Sequence, residues 1–196
     1  MYWYEDEVKR LENDRLTIGY DPETLFFGSS SVRLWTSLYE DFKELKPANL
    51  GFGGSTLAAC VWFFERIMLP YRPKKLVVYA GDNDLGDGRH PEEVFIFFLQ
   101  LTAKIEARFG NLPCYFISLK PSLSRWDMAD QYIYTNRLIQ NTIRESSSWQ
   151  FIDVFEKMLN GAGEPDGECF VDDGLHLSEK GYQLWREVIG SQIRND

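Results

Sequence analysis

Short apolar runs alternate with longer stretches whose apolar residues recur every three to four positions. The runs near 25–28, 48–52, 75–80, 113–119 and 149–155 read as five strands, and 75–80 is apolar enough to be covered on both faces. Between them lie helical faces: Leu34, Trp35, Leu38, Tyr39, Phe42 and Leu45 as one continuous helix, then Leu57 to Met68, Val94 to Ile105, Met128 to Ile143 and Leu184 to Ile189. Pro91 stands at a first helical position with Glu92 and Glu93 behind it, and Ser178 reads as the cap of the last helix. Strands alternating with helices predict a parallel sheet with helices on both faces. Tyr4, Val8 and Leu11 mark a leading helix before the break at Asp21-Pro22. The expected organisation is therefore an N-terminal helical extension over 1–20 and one domain over 21–196.

Three polar clusters each follow a strand: Gly28 to Ser31, Gly53 to Thr56 and Gly81 to Asp84. The carboxyl ends of parallel strands share one edge of the sheet, so all three clusters gather there, where ligands of open α/β proteins bind. Composition adds an ample core, with 44% hydrophobic and 15% aromatic residues. It also adds a net charge of -9, which argues against nucleic acid and anionic membrane surfaces as partners. No apolar run is long enough to span a membrane. The first residues lack a basic region and an apolar core of leader type. The three cysteines (Cys60, Cys114, Cys169) have no metal or redox spacing, so free thiols and a cytoplasmic location are expected.

The candidate chemistry is acyl transfer. A serine at the start of a helix after the first strand lies beside free N–H groups, and a base must take its proton. Of the two histidines, His90 precedes Pro91 and reads as a capping residue. His176 has Asp173 three residues earlier, with a glycine between them that permits a tight turn. That spacing lets the carboxylate accept from Nδ1–H and leaves Nε2 for the serine. The Gly54 N–H, the Asn83 side-chain amide and the nucleophile's own N–H are candidate oxyanion donors. Lys120, Arg125 and Trp126 follow the fourth strand and are candidates for lining the site. Residues alone leave Ser29, Ser30 and Ser31 open as nucleophile.

From about Thr24 to Ile189 the chain resembles the SGNH hydrolases, also called GDSL esterases. Gly28-Ser29-Ser30 is similar to the first block, Gly54 to the glycine of the second, Gly81-Asp82-Asn83-Asp84 to the third, and Asp173 with His176 to the last. Ser29 departs from the usual aspartate. The resemblance implies a flavodoxin-like three-layer α/β/α sandwich, with Ser30, His176 and Asp173 as catalytic residues. It also implies an oxyanion hole of Ser30, Gly54 and Asn83, and no metal or cofactor. The implied substrate is a small acyl ester with an acetyl or short acyl group. Lysophospholipid or thioester hydrolysis, and acyl-ligand binding without turnover, are the alternatives. The sequence leaves oligomeric state open.

Overall fold

The computed structural model describes residues 1–193; residues 194–196, the end of the expected domain, lie outside it. Five parallel strands form one sheet: β1 (Thr24–Gly28), β2 (Pro47–Gly51), β3 (Lys75–Tyr79), β4 (Cys114–Ile117) and β5 (Trp149–Ile152), in the order β2-β1-β3-β4-β5. Eight α-helices accompany them: α1 (Glu5–Asp14), α2 (Ser30–Arg33), α3 (Leu38–Asp41), α4 (Leu57–Met68), α5 (Asp82–Gly86), α6 (Pro91–Phe109), α7 (Ala129–Arg144) and α8 (Glu179–Gly190). This is the flavodoxin-type three-layer sandwich, with its topological switch between β1 and β3.

The central strands bury both faces because alternate side chains enter opposite layers. Leu25, Phe27, Leu76 and Val78 join the cluster built by α1, α4, α6 and α7. Phe26, Val77 and Tyr79 join a second cluster with Trp35, Phe42, Trp185 and Ile189. Cys60, Cys114 and Cys169 are buried free thiols.

Helix α1 shares the first cluster through Val8 and Leu11. Burying each contributes roughly 1.5–3 kcal/mol. The half-exposed ion pairs of Arg66 with Glu5 and Glu12 add about 0–1 kcal/mol each, so apolar burial holds this helix in place.

The single helix expected after β1 is broken. Two one-turn helices, α2 and α3, and a 3₁₀ turn at Lys43–Leu45 replace it. Leu34 and Tyr39 point outward, while Trp35, Leu38 and Phe42 are buried. The cause is local: Ser37 Oγ and Trp35 Nε1 both donate to Asp41 Oδ2, at 2.6 and 2.8 Å, and these bonds compete with helical continuation through Thr36 and Ser37. Helix α5 was not legible in the sequence, where 81–84 read only as a polar loop. Its turn is sealed by Asp87 N–H donating to the Asn83 carbonyl at 2.8 Å.

Candidate active site

Gly28 ends β1 at φ 143°, and a Cβ there would stand 1.9 Å from the Tyr79 carbonyl oxygen. Only glycine lets β1 pass so close to β3 while turning. The Ser29 N–H then donates to that same carbonyl at 2.9 Å, and α2 begins at Ser30. Ser29 is fully buried and its Oγ has no partner among the described residues; Ser31 is buried as well. Ser30 is half-buried, and its Oγ lies 3.1 Å from His176 Nε2. The turn into the helix thus separates three adjacent hydroxyls and presents one. Since α2 has only four residues, the amides of Ser30 and Ser31, which have no acceptor among the described residues, matter more than any long-helix dipole.

The candidate base comes from a compact turn. Asp173 Oδ1 accepts from the Leu175 and His176 amides at 2.8 and 2.9 Å, and Oδ2 meets His176 Nδ1 at 2.6 Å. His176 first, then the two amides, hold this carboxyl down to about 2 even though the turn is exposed. An ionised carboxylate only accepts, so Nδ1 carries the proton and Nε2 faces Ser30. Behind the turn, Lys120 is buried and donates from Nζ to the Leu175 carbonyl at 2.6 Å. Burial pulls its ammonium down to about 8, against the opposing charges of Asp82 and Asp173.

The opposite wall joins two loops. Asn83 Nδ2 donates to the Ser55 carbonyl at 3.1 Å, and Ser55 Oγ donates to the Gly28 carbonyl at 2.9 Å. The loops after β1, β2 and β3 are thereby bonded to one another around Ser30. The amides of Ser30 and Gly54 have no acceptor among the described residues. Asp84, fully buried, accepts from the Leu57 and Ala58 amides at 2.6 and 3.4 Å and so ties the third cluster to the start of α4. Burial raises its carboxyl to about 6, against those amides and Arg89.

Helix α1 reaches this wall. Tyr4 OH donates to the Gly54 carbonyl at 2.9 Å, and Glu7 Oε2 accepts from the Gly53 amide at 3.0 Å and from Arg33 Nε at 2.6 Å. Burial opposes the Glu7 charge, but the Gly53 amide and the two arginines Arg33 and Arg10 outweigh it and hold the carboxyl below its usual range. Sequence reading singled out neither residue for the site. It also left the contacts of Ser55 and Asp84 unseen, although a buried acid just after a strand is itself a signal. Trp126 stacks on Phe155 with the rings inclined at 28° and their centroids 6.3 Å apart. His90 is the N-cap of α6, where its amide donates to Glu93 Oε2 at 2.8 Å.

Known proteins share this fold. Residues 14–184 match the model of the GDSL-like Lipase/Acylhydrolase family. A 78-residue stretch is 35% identical to an acetylxylan esterase of Xylanibacter ruminicola; the match takes in 39% of this chain and spans only 15% of that relative's length. Among solved structures, a Streptococcus pneumoniae protein provisionally described as a platelet activating factor superposes with a TM-score of 0.85 at 20% identity, over 98% of this chain and 95% of the other. A GDSL-like lipase from Bacteroides thetaiotaomicron gives 0.76 at 18% identity, over 94% and 95%. At those identities the superpositions speak for the fold. The family match begins at the last residue of α1 and covers every segment beyond it that surrounds Ser30, and the chain belongs to the GDSL-like lipase/acylhydrolase family.

Proposed function

We propose that the protein cleaves O-acyl esters carrying acetyl or other short acyl groups, through an acyl-enzyme on Ser30. The observation that carries this reading is the continuous chain from Ser30 Oγ to His176 Nε2 (3.1 Å) and from His176 Nδ1 to Asp173 Oδ2 (2.6 Å). Ser30 Oγ attacks the acyl carbonyl while His176 Nε2 takes its proton; Asp173 steadies the imidazolium that forms. The Ser30 and Gly54 amides and Asn83 Nδ2 receive the negative charge on the carbonyl oxygen. His176 then protonates the leaving alcohol, which departs. A water, deprotonated by the same imidazole, attacks the acyl-enzyme, and Ser30 regains its proton as the acid leaves.

The preference for short acyl groups rests on the acetylxylan esterase relative and on the shape of the edge. A long chain needs a deep apolar cleft. Gly54 and Asp173 are exposed instead.

Hydrolysis of p-nitrophenyl esters from acetate to decanoate tests the reading. The expected rates fall with chain length, and Ser30→Ala loses at least about 10⁴-fold. Rates that rise toward decanoate would replace the short-acyl assignment with a lipid substrate. A fully active Ser30→Ala would remove the nucleophile, and no turnover of any ester would favour acyl-ligand binding.

A further inference from the structure

Six residues beyond β4 reach both halves of the site. Lys120 Nζ bonds the Leu175 carbonyl, and the amide and hydroxyl of Ser124 meet the Gly174 carbonyl at 3.1 and 3.3 Å. Arg125 turns the other way. Its Nη1 and Nη2 donate to Asn83 Oδ1 at 3.2 and 3.3 Å, and Nη1 also donates to the Asp82 carbonyl at 3.1 Å. We propose that Arg125 is a positioning residue for Asn83, and that the segment 120–125 is a bracket holding the oxyanion donor in register with the base turn.

The argument starts from the two ends of an amide. A guanidinium has five donors and no acceptor. Placed on Asn83 Oδ1, it forbids the flipped side chain, which would set N–H against N–H and turn a carbonyl oxygen toward the developing oxyanion. The Ser55 carbonyl reads the other end, taking one hydrogen of Nδ2 and leaving the second for substrate. The positive charge behind the amide also polarises it toward donation.

Arg10, Arg33, Arg66, Arg89 and Arg186 all pair with carboxylates. Arg72, Arg108 and Arg144 bond uncharged oxygens, and Arg125, half-buried, differs from them in converging two of its three bonds on one side-chain oxygen of the site. The chain also leaves space for it: a Cβ on Gly86 would stand 2.7 Å from the guanidinium carbon.

This inference rests on the ester-hydrolysis reading, so the test begins with wild-type release of p-nitrophenol from the acetate ester. If wild type releases none, the reading and this inference fall together. With wild type active, Arg125→Ala is expected to lower kcat about ten- to hundredfold, bounded by the cost of losing an oxyanion donor, with KM unchanged. On an Asn83→Ala background the same substitution should cost less than about twofold, because its target is gone. Added methylguanidinium should restore part of the single variant's rate and none of the double variant's. Should Arg125→Ala fail to fold, Gly86→Ala carries the same cycle: it keeps the arginine, suits a helical position and displaces the guanidinium. Equal losses with and without Asn83, a change in KM alone, or no loss would overturn the inference while leaving the ester reading intact.

Discussion

The proposed base turn and the proposed oxyanion wall face each other across Ser30 and are built on opposite principles. Asp173, Gly174, Leu175 and His176 organise themselves: the carboxylate bonds two amides and the imidazole within three residues, on an exposed turn. Its outside supports are the bonds from Lys120 and Ser124. The wall has no such local logic. Gly54 and Asn83 are bonded by Tyr4 and Arg125, while Glu7 holds the neighbouring Gly53 and the fully buried Asp84 holds the start of α4, so the wall draws on the N-terminal helical segment and the segment after β4 as well as on its own loops. A short polar turn needs only the right spacing, whereas donors that converge on one oxygen must be fixed from several directions.

That contrast is open to measurement, and the largest effect belongs to the base turn. Asp173→Asn should lower kcat about 10³–10⁴-fold by favouring the wrong imidazole tautomer, while the melting temperature shifts by no more than about 2 °C because the turn is exposed. A large loss of stability would mean that the turn is a structural anchor too. Asp173 stays ionised down to about pH 2, so its protonation should not limit the rate of the wild-type protein above that pH.

A smaller effect is expected across the wall. Tyr4→Phe deletes one hydrogen bond to the Gly54 carbonyl, worth about 1 kcal/mol. The expected result is about a fivefold fall in kcat together with a melting temperature lower by about 2–4 °C. Loss of stability with full activity would show that α1 supports the fold and leaves the donors alone.

The smallest effect separates the wall's buried acid from the exposed one. Folding raises the Asp84 carboxyl from an unfolded value near 3.8 to about 6. Between those values the folded form holds more protons, so this group's contribution to stability falls as pH rises from about 4 to 6 and stays low above that. Asp84→Asn should flatten the melting temperature over that window, measured against wild type. An unchanged slope would mean that the carboxylate is ionised throughout.

The same contrast explains what could be read in advance. The five strands follow from apolar runs, and the Asp173–His176 pair from spacing along the chain. Ser30 emerged from its neighbours only through resemblance; the structure separates it by burying Ser29 and Ser31 in the turn. The broken helix after β1 escaped periodicity because Trp35, Ser37 and Asp41 satisfy one another through side-chain bonds that a pattern of apolar positions does not register. Tyr4 and Glu7 escaped because their partners lie 50 and 46 residues away.

By itself, then, the sequence determined the alternation of strand and helix, the shared edge at which the polar clusters meet, and the base turn, since each depends on neighbours within a few residues. The tertiary structure decided which hydroxyl faces the imidazole, which end of Asn83 is free, and which helix supports Gly54. Those outcomes depend on burial and on donors from distant segments, and such contacts exist only once the sheet has brought the segments together.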